Sequence, residues 1–402
     1  MPEDFSVTIG KLVDRLESKN DGIRSMGYFY NFARSLYTGY LDSLKNSGKK
    51  IVGVFCNFVP EELIFAAGAF PLRLCSGFGS TVQRAEQIMP ANFCPMIKSS
   101  YGQMLEDAAP FRASDVIVLP TTCDGKKKLG ELMSDYKPTW VLEVPHTNET
   151  THARALWLSS VNTFKKEIQK LTGRKITAKS LRQSIELCNR KRAAVRRLYD
   201  VRKRQMVPIW GRDVMLVTNM SSFDEPVRYI AQVEELCNEL EAKQTSVSNG
   251  QRLLLTGSPI MFPALKIAMV LEDSGGIIVT DDICTGAKTF HDPVMPAHWT
   301  MDDMLVALAD KYLMNTCPCF TPNAARLIRL QQLAQEYRVQ GMIYYILQAC
   351  HTYNIEAHNI QKAFKAMGIP VLKIETDYGE QDVGQLKVRM EAFGEMLQGQ
   401  LE

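Results

Sequence analysis

The sequence predicts an α/β protein built from two similar halves, each with a parallel sheet. Three observations predict this fold. Short apolar runs that read as strands alternate with helical patterns in both halves. The runs follow the same order and spacing in the two halves, as expected for a duplicated plan. The stretch between the halves, residues 151–248, shows only helical patterns and is expected to connect them.

The first half is predicted to follow a helical N-terminal segment, residues 1–46, and to occupy residues 47–150. Its four strands are expected in the runs IVGVFC, PLRLCSG, VIVLPTTC and WVLEVPHT. Helices are expected between them, over residues 60–69, after Cys94 and from Gly125. This regular alternation of strand and helix indicates that the strands are parallel.

The connection is predicted to hold two long helices within residues 151–205, joined near Gly173. A break at residues 208–211 and a helix over residues 222–244 complete it. The second half, predicted for residues 249–380, repeats the plan of the first. Its strands are expected in RLLLTGSPI, IIVTDDICTG, MIYYILQAC and VLKIETDY, with helices over residues 262–274, 301–314 and 353–367. A closing helix is predicted in the C-terminal segment, residues 381–402.

The length and composition favour a two-domain globular protein. The chain has 402 residues, of which 46% are hydrophobic and 23% are charged. The acidic, helical N-terminus does not resemble a signal peptide, and no apolar run has the length of a bilayer span, so a cytoplasmic location without a membrane partner is expected. The basic stretch over residues 165–204 lacks interleaved aromatic residues, which favours a solvated helical arm over a nucleic-acid or other acidic partner.

Six of the ten cysteines stand where strands are predicted to end or helices to begin. They are Cys94, Cys123, Cys284, Cys317, Cys319 and Cys350. The carboxyl ends of parallel strands are where open sheets bind ligands, and a reducing compartment disfavours structural disulfides. Thiolates select zinc, copper(I) or iron-sulfur clusters, and zinc is less favoured because CxxC pairs and nearby histidines are missing. The sequence therefore predicts a metal cluster in a cleft between the halves.

Local sequence supports this assignment for several of the thiols. Cys94 precedes a proline and a helix, so its sulfur is expected at a helix N-terminus, which favours a thiolate. Cys123 is followed by a glycine turn and by Lys126 at the start of the next helix. Cys317 and Cys319 flank a single proline, which is hard to explain by core packing and can aim both thiols at one inorganic core.

Other candidate residues are weaker. Cys188 and Cys237 fall on helices and are expected in the core; Cys56 and Cys75 end early strands, and Cys75 is a reserve ligand. Asp281 and Asp282 could bind magnesium, but capping of the following turn is favoured. His146 and His351, at strand ends, could transfer protons or be structural. Because no nucleotide-binding or serine-hydrolase motif occurs, ATP is expected to act only through another protein.

Several of these segments resemble one family. The stretches GVFCNFVPEELIFAAGAFPLRLCSG, CPMIKSSYG, VIVLPTTCDGKKK, DDICTGAK and GIPVLKIETDYGEQDVGQLKVRMEAFGEML are similar to the 2-hydroxyacyl-CoA dehydratase and benzoyl-CoA reductase superfamily. The resemblance runs from about residue 48 to the C-terminus. It implies two flavodoxin-like domains with parallel four-stranded sheets around a cysteine-bound iron-sulfur cluster. It also implies a separate ATP-hydrolysing iron-sulfur activator that reduces this cluster.

The resemblance divides the six thiols into two sets. Cys94, Cys123 and Cys350 match the family's ligands for one 4Fe-4S cluster, whereas Cys284, Cys317 and Cys319 go beyond it. Taken together, the six thiols resemble those of the double-cubane cluster protein branch. That branch has an 8Fe-9S cluster whose six terminal irons each take one thiolate. This branch implies a homodimer that reduces a small-molecule substrate. A 2-hydroxyacyl-CoA dehydratase subunit, which eliminates water by radical chemistry, and a non-catalytic electron-storage or cluster-scaffold protein remain the alternatives.

Overall fold

The strands of the protein form two parallel sheets of four strands each. The computed structural model describes residues 4–399, so the outermost residues of the two predicted terminal segments, 1–3 and 400–402, lie outside the described part. The strands are β1 (Ile51–Val54), β2 (Phe70–Arg73), β3 (Val116–Pro120), β4 (Thr139–Leu142), β5 (Arg252–Gly257), β6 (Ile277–Asp282), β7 (Gly341–Leu347) and β8 (Val371–Thr376).

The two sheets have the same topology, which confirms the predicted α/β fold with two flavodoxin-like domains. Their strand orders are β2-β1-β3-β4 and β6-β5-β7-β8, and every neighbouring pair is parallel. In each sheet the first strand in the chain pairs with the second and the third, so the chain changes direction across the sheet beside β1 and β5. Such a switch point opens a crevice at the carboxyl ends of the strands. The exact limits of the five predicted segments stay a prediction.

Helices account for most of the remaining chain. Before the first sheet lie α1 (Phe5–Glu17), α2 (Met26–Ser35) and α3 (Leu41–Asn46), with a π turn at Leu36–Tyr40. The first half contains α4 (Glu61–Ala66), α5 (Val82–Ala85), α6 (Pro95–Leu105), α7 (Ala109–Ala113) and α8 (Asp124–Ser134). The connection contains α9 (Thr151–Thr172), α10 (Ala178–Asp200), α11 (Gly211–Met220) and α12 (Pro226–Ala242). The second half contains α13 (Lys266–Asp273), α14 (Ala287–Phe290), α15 (Met301–Leu313), α16 (Ala324–Glu336) and α17 (His351–Ala366), and α18 (Val383–Gly399) follows.

The helices depart from the predicted limits where proline or a capping residue decides the start. Helix α13 begins at Lys266 instead of residue 262, because Pro263 disfavours the helical conformation of the residue before it. Helix α12 begins at Pro226, where the Glu225 carboxylate accepts hydrogen bonds from two backbone amides of the first turn. Helix α11 follows directly on the predicted break and has no counterpart among the predicted helices. Gly173 ends α9 in the left-handed conformation, as the predicted junction requires.

Both faces of each sheet are covered, so the central strands are buried throughout. In the first sheet, Val52 and Val54 pack on one side with α9, whereas Ile51 faces the other core together with the N-terminal helices. This is why these strands read as continuous apolar runs without alternation. None of the helices within residues 4–399 is long and apolar enough to cross a membrane.

The helical connection joins the two halves. Trp157 of α9 is fully buried and donates a hydrogen bond from its indole nitrogen to the Ala309 carbonyl of α15, at 3.0 Å. On the other side, Arg192 of α10 forms a buried ion pair with Glu62 of α4, with 2.5 Å between nitrogen and oxygen. The connection thus contacts the first and second halves together and holds the carboxyl ends of their strands near each other.

Candidate functional site

The loops at the carboxyl ends of both sheets enclose a cavity of about 250 Å³. We call it the cysteine cavity, because its lining includes eight thiols: Cys56, Cys75, Cys94, Cys123, Cys284, Cys317, Cys319 and Cys350. All six cysteines predicted as ligands are among them. Cys188 and Cys237 are instead buried within α10 and α12, where helical core residues were expected. All ten cysteines are free thiols.

Three of the thiols stand at helix N-termini. Cys94, Cys123 and Cys350 are the N-cap residues of α6, α8 and α17. Backbone amides of the first turn point toward the sulfur of Cys94 and toward that of Cys123. Such amides and the helix dipole stabilise negative charge, which suits a thiolate that binds metal.

Two residues in the left-handed conformation shape the cavity wall. Cys56, just after β1, has φ of 64°, and Ala349, just before Cys350, has φ of 58°. Residues other than glycine rarely adopt this conformation, and such outliers cluster at functional sites. Here the two sharp turns bring the chain from the strand ends to the cavity wall.

Cys284 lies on a tight turn that Asp281 stabilises. The Asp281 carboxylate accepts hydrogen bonds from the backbone amides of Ile283 and Ala287, at 3.2 and 3.1 Å, and also from the Tyr199 hydroxyl. Asp281 therefore caps the turn, the role that the sequence favoured over magnesium binding. Its neighbour Asp282 forms a buried ion pair with Arg326.

Two buried lysines place positive charge beside the thiols. Lys126 lines the cavity, and although burial opposes its charge, the thiols of Cys56 and Cys75 raise its pKa. Lys288 is buried 3.3 Å from the Asp282 carboxylate. Its ammonium favours the thiolate form of Cys284, although burial still raises the pKa of that thiol to about 11.

The Cys317 and Cys319 thiols interact directly. Cys319 donates a hydrogen bond to the Cys317 sulfur, which lowers the pKa of Cys317 to about 6 and raises the pKa of Cys319. By contrast, burial and the nearby Cys350 raise the pKa of Cys94 to about 12. Burial and mutual repulsion disfavour ionisation of several closely packed thiols, and a bound metal cation would relieve this.

Hydrogen bonds between the halves close the cavity. The Asn57 side chain, after β1, donates to the Cys284 carbonyl and to the Thr289 hydroxyl, both at 2.7 Å. Gly77 lies against the second half so closely that a Cβ atom there would come within 2.1 Å of the Met261 carbonyl oxygen. Only glycine permits this approach of the two chain segments.

The two histidines predicted as proton donors differ in position. His351 lines the cysteine cavity, with its side chain exposed at the rim. His146 is exposed and is not among the residues that line the cavity; its carbonyl accepts a hydrogen bond from the Thr321 amide. A role in proton transfer stays a prediction for both.

The sequence underestimated two thiols and two lysines. Cys56 and Cys75 end the runs IVGVFC and PLRLC, at the same edge of the sheet as Cys123, and this shared position was the available signal. The only signal at Lys126 was its position at the start of the helix after Cys123, and Lys288 carried no signal, because a lysine at the start of a helix normally faces solvent.

The donor set suits a cluster better than a single ion. Over residues 4–399, no three His, Cys, Asp or Glu side chains come close enough together to hold one metal ion. Eight soft donors spread around a cavity of about 250 Å³ instead match a group with several metal atoms, most of which take one thiolate from the protein. The residues present therefore fit an iron-sulfur cluster.

Comparison with known proteins relates the chain to dehydratase subunits. Residues 56–397 match the family described as 2-hydroxyglutaryl-CoA dehydratase, D-component. The chain is 39% identical to YjiM of Escherichia coli (strain K12), a protein provisionally assigned as a dehydratase subunit, over 92% of the chain and 97% of that protein. It is 26% identical to the beta subunit of (R)-2-hydroxyglutaryl-CoA dehydratase from Acidaminococcus fermentans, over 89% and 95%.

A reductase is also among the relatives. One of the subunits of benzoyl-CoA reductase from Thauera aromatica is 24% identical over 64% of the chain and 68% of its own length. The relatives thus include both dehydratases and a reductase, as the resemblance of the sequence segments implied. The match over most of its length shows that the chain belongs to the 2-hydroxyglutaryl-CoA dehydratase D-component family.

Proposed function

We propose that the protein is an iron-sulfur reductase component that reduces a small substrate at a double-cubane 8Fe-9S cluster. The observation that carries this proposal is the gathering of six predicted ligands from both halves around one cavity. Bound there, the cluster would supply electrons of low potential to the substrate. The thiols of Cys94, Cys123, Cys284, Cys317, Cys319 and Cys350 would hold it.

The surrounding residues suit such a cluster. Three of the ligands, Cys94, Cys123 and Cys350, stand at helix N-termini. The backbone amides there stabilise the negative charge of the thiolates. Lys126 and Lys288 add two buried positive charges near the thiols. Apolar residues such as Met261 and Leu347 complete the lining and exclude water.

We infer that the electrons come from a separate ATP-hydrolysing iron-sulfur protein, and that the chain acts as a homodimer. The sequence contains no phosphate-binding loop of its own, so ATP hydrolysis would require a partner. His351 at the rim of the cavity is the better placed of the two histidines to deliver a proton to a bound substrate.

The second candidate is a 2-hydroxyacyl-CoA dehydratase subunit with one 4Fe-4S cluster. It is favoured by the names of the relatives and by the three N-cap thiols, which would suffice as ligands for the smaller cluster. Cys284, Cys317 and Cys319 would then be thiols without a metal.

Iron and acid-labile sulfide analysis of protein purified without oxygen distinguishes the two candidates. The double cubane predicts about eight irons per chain, whereas a single cubane predicts about four. About four irons with all cysteines intact would refute the larger cluster. If about eight irons are found but the reduced protein transfers no electrons to any small substrate in the presence of its activator, an electron-storage or scaffold role is favoured instead.

A further inference from the structure

A second, much smaller cavity adjoins the cysteine cavity, and we call it the arginine pocket. Its volume is about 20 Å³, and Cys56 contributes to the lining of both cavities. Because a water molecule needs a cavity of roughly 10–15 Å³, the arginine pocket has room for about one small occupant. Four cationic side chains line it: Arg73, Lys191, Arg192 and Lys311.

Two of these cations already have partners. Lys191 forms an ion pair with Glu61 at 2.6 Å, and Arg192 forms one with Glu62 at 2.5 Å. Glu62 also accepts a hydrogen bond from the Tyr312 hydroxyl at 2.9 Å. These contacts pair the two carboxylates with Lys191 and Arg192, so neither forms an ion pair with a third cation in the described chain.

Among the described residues, Arg73 has no carboxylate of its own: the charge of Glu61, which pairs with Lys191, also acts on Arg73 from a greater distance. The Arg73 side chain belongs to β2, only 6% of the residue is exposed, and no carboxylate within residues 4–399 forms an ion pair with it. One guanidinium nitrogen donates to the Asn57 side-chain oxygen at 3.2 Å. The other two nitrogens, Nε and Nη1, are buried and have no hydrogen-bond partner in the described part of the chain. Arginine stays protonated in proteins, and a buried charge is normally paired.

Lys311 is also affected by its buried surroundings. Burial, followed by the charge of Arg192, lowers the pKa of Lys311 to about 7, while Glu62, Asp292 and Glu61 act in the opposite direction. A negative charge in the arginine pocket would raise this pKa.

We propose that the arginine pocket is a binding site for one monatomic anion of halide size, held by the Nε and Nη1 groups of Arg73. Water would satisfy these donors, but the arginine pocket would keep more cationic side chains than carboxylates around it. Since Cys56 forms part of both walls, the anion would lie beside the cysteine cavity without entering it. The site does not depend on the cluster proposed above, so its test is independent of that function.

Anomalous diffraction from crystals grown with bromide in place of chloride tests the site directly. The protein is purified without oxygen, and data are collected at the bromine absorption edge. We expect a bromide peak in the pocket, within hydrogen-bond distance of Arg73. Arg202 serves as a reference in the same map: its Nε and Nη1 are also unpartnered within residues 4–399, but it stacks on Tyr199 and lies near Asp281, so no peak is expected there.

Variants of Arg73 complete the test. Arg73→Met should abolish the peak, whereas Arg73→Lys keeps the charge and should retain it at lower occupancy. If the methionine variant does not fold, the wild-type and lysine maps still decide. Bromide bound elsewhere on the protein but absent from the pocket, or pocket density without an anomalous signal, would overturn the proposal.

Discussion

The side-chain amide of Asn57 donates a hydrogen bond of 2.7 Å to the carbonyl oxygen of Cys284. Asn57 follows the first strand of one sheet and Cys284 follows the second strand of the other, so this contact joins the two halves at the wall of the cysteine cavity. The same amide donates to Thr289, and the Asn57 side-chain oxygen accepts from Arg73. One buried asparagine thus connects both sheets.

Asn57→Ala is expected to destabilise the protein by about 1–3 kcal/mol, because it leaves the buried Cys284 carbonyl and Arg73 without this partner. Chemical denaturation followed by circular dichroism measures the change. Asn162→Ala is the matched control, since the Asn162 amide bonds only within its own helix, to the Leu158 carbonyl at 2.9 Å. Equal midpoints for the two variants would show that the Asn57 contacts do not hold the halves together.

Cys317→Ser and Cys319→Ser are each expected to lower the iron content of the purified protein while circular dichroism stays unchanged, because both side chains are only partly buried and serine is close to cysteine in size. Cys237→Ser is the control, since Cys237 is buried in α12 away from the cavity lining. Full retention of iron by both cavity variants would refute their assignment as ligands.

Lys126→Gln is expected to make reduction of the proposed cluster harder by on the order of 1–2 kcal/mol, because it removes a positive charge close to the site where an electron would be added. A redox titration followed by electron paramagnetic resonance measures the potential. Lys127→Gln is the control, because Lys127 is its neighbour in sequence but is partly exposed and pairs with Asp124. A shift of the same size in both variants would contradict a specific effect of Lys126.

Asp213 gives the stability a predictable dependence on pH. This carboxyl is buried in α11 and accepts a hydrogen bond from the Tyr30 hydroxyl at 2.9 Å, while its second oxygen has no partner in the described chain. Burial raises the pKa of Asp213 from its ordinary value of 3.8 to about 7. Between these two pH values the folded protein keeps a proton on Asp213 that the unfolded chain releases. The contribution of Asp213 to the free energy of unfolding therefore falls as pH rises from about 4 to about 7, and it changes no further above about 7.

Asp213→Asn should remove this loss, because the amide cannot ionise. Relative to wild type, the variant is expected to gain stability progressively between pH 4 and pH 7, by up to roughly 4 kcal/mol. Unfolding curves across this range measure the difference. Asp42→Asn, which makes the same change at an exposed position, is the control for the substitution itself. A constant difference between Asp213→Asn and wild type at all pH values would mean that Asp213 ionises normally in the folded state.

The strand pattern was sufficient to predict both sheets, because strands buried on both faces appear as apolar runs in the sequence itself. Helix starts were less predictable, as at Lys266, since they depend on single prolines and capping side chains. The six cysteines could be grouped from the sequence because the carboxyl ends of parallel strands meet at one edge of a sheet.

What the sequence could not show depends on contacts between distant residues. The ion pair between Glu62 and Arg192 links residues 130 positions apart. Nothing in the sequence near either residue distinguishes it from a charged residue on the surface. Likewise, Cys56 adopts a left-handed conformation that no local pattern signals, and this turn carries the chain to the cavity wall. The arginine pocket arises from the same long-range packing.

The central claim, a double-cubane cluster held by six thiolates from both halves, is tested most directly by an anaerobic crystal structure with an iron anomalous map of the cysteine cavity. The account predicts one continuous group of about eight iron atoms. The sulfurs of Cys94, Cys123, Cys284, Cys317, Cys319 and Cys350 should be bonded to it. About four irons bound by Cys94, Cys123 and Cys350 alone, with the other three thiols free, would contradict it.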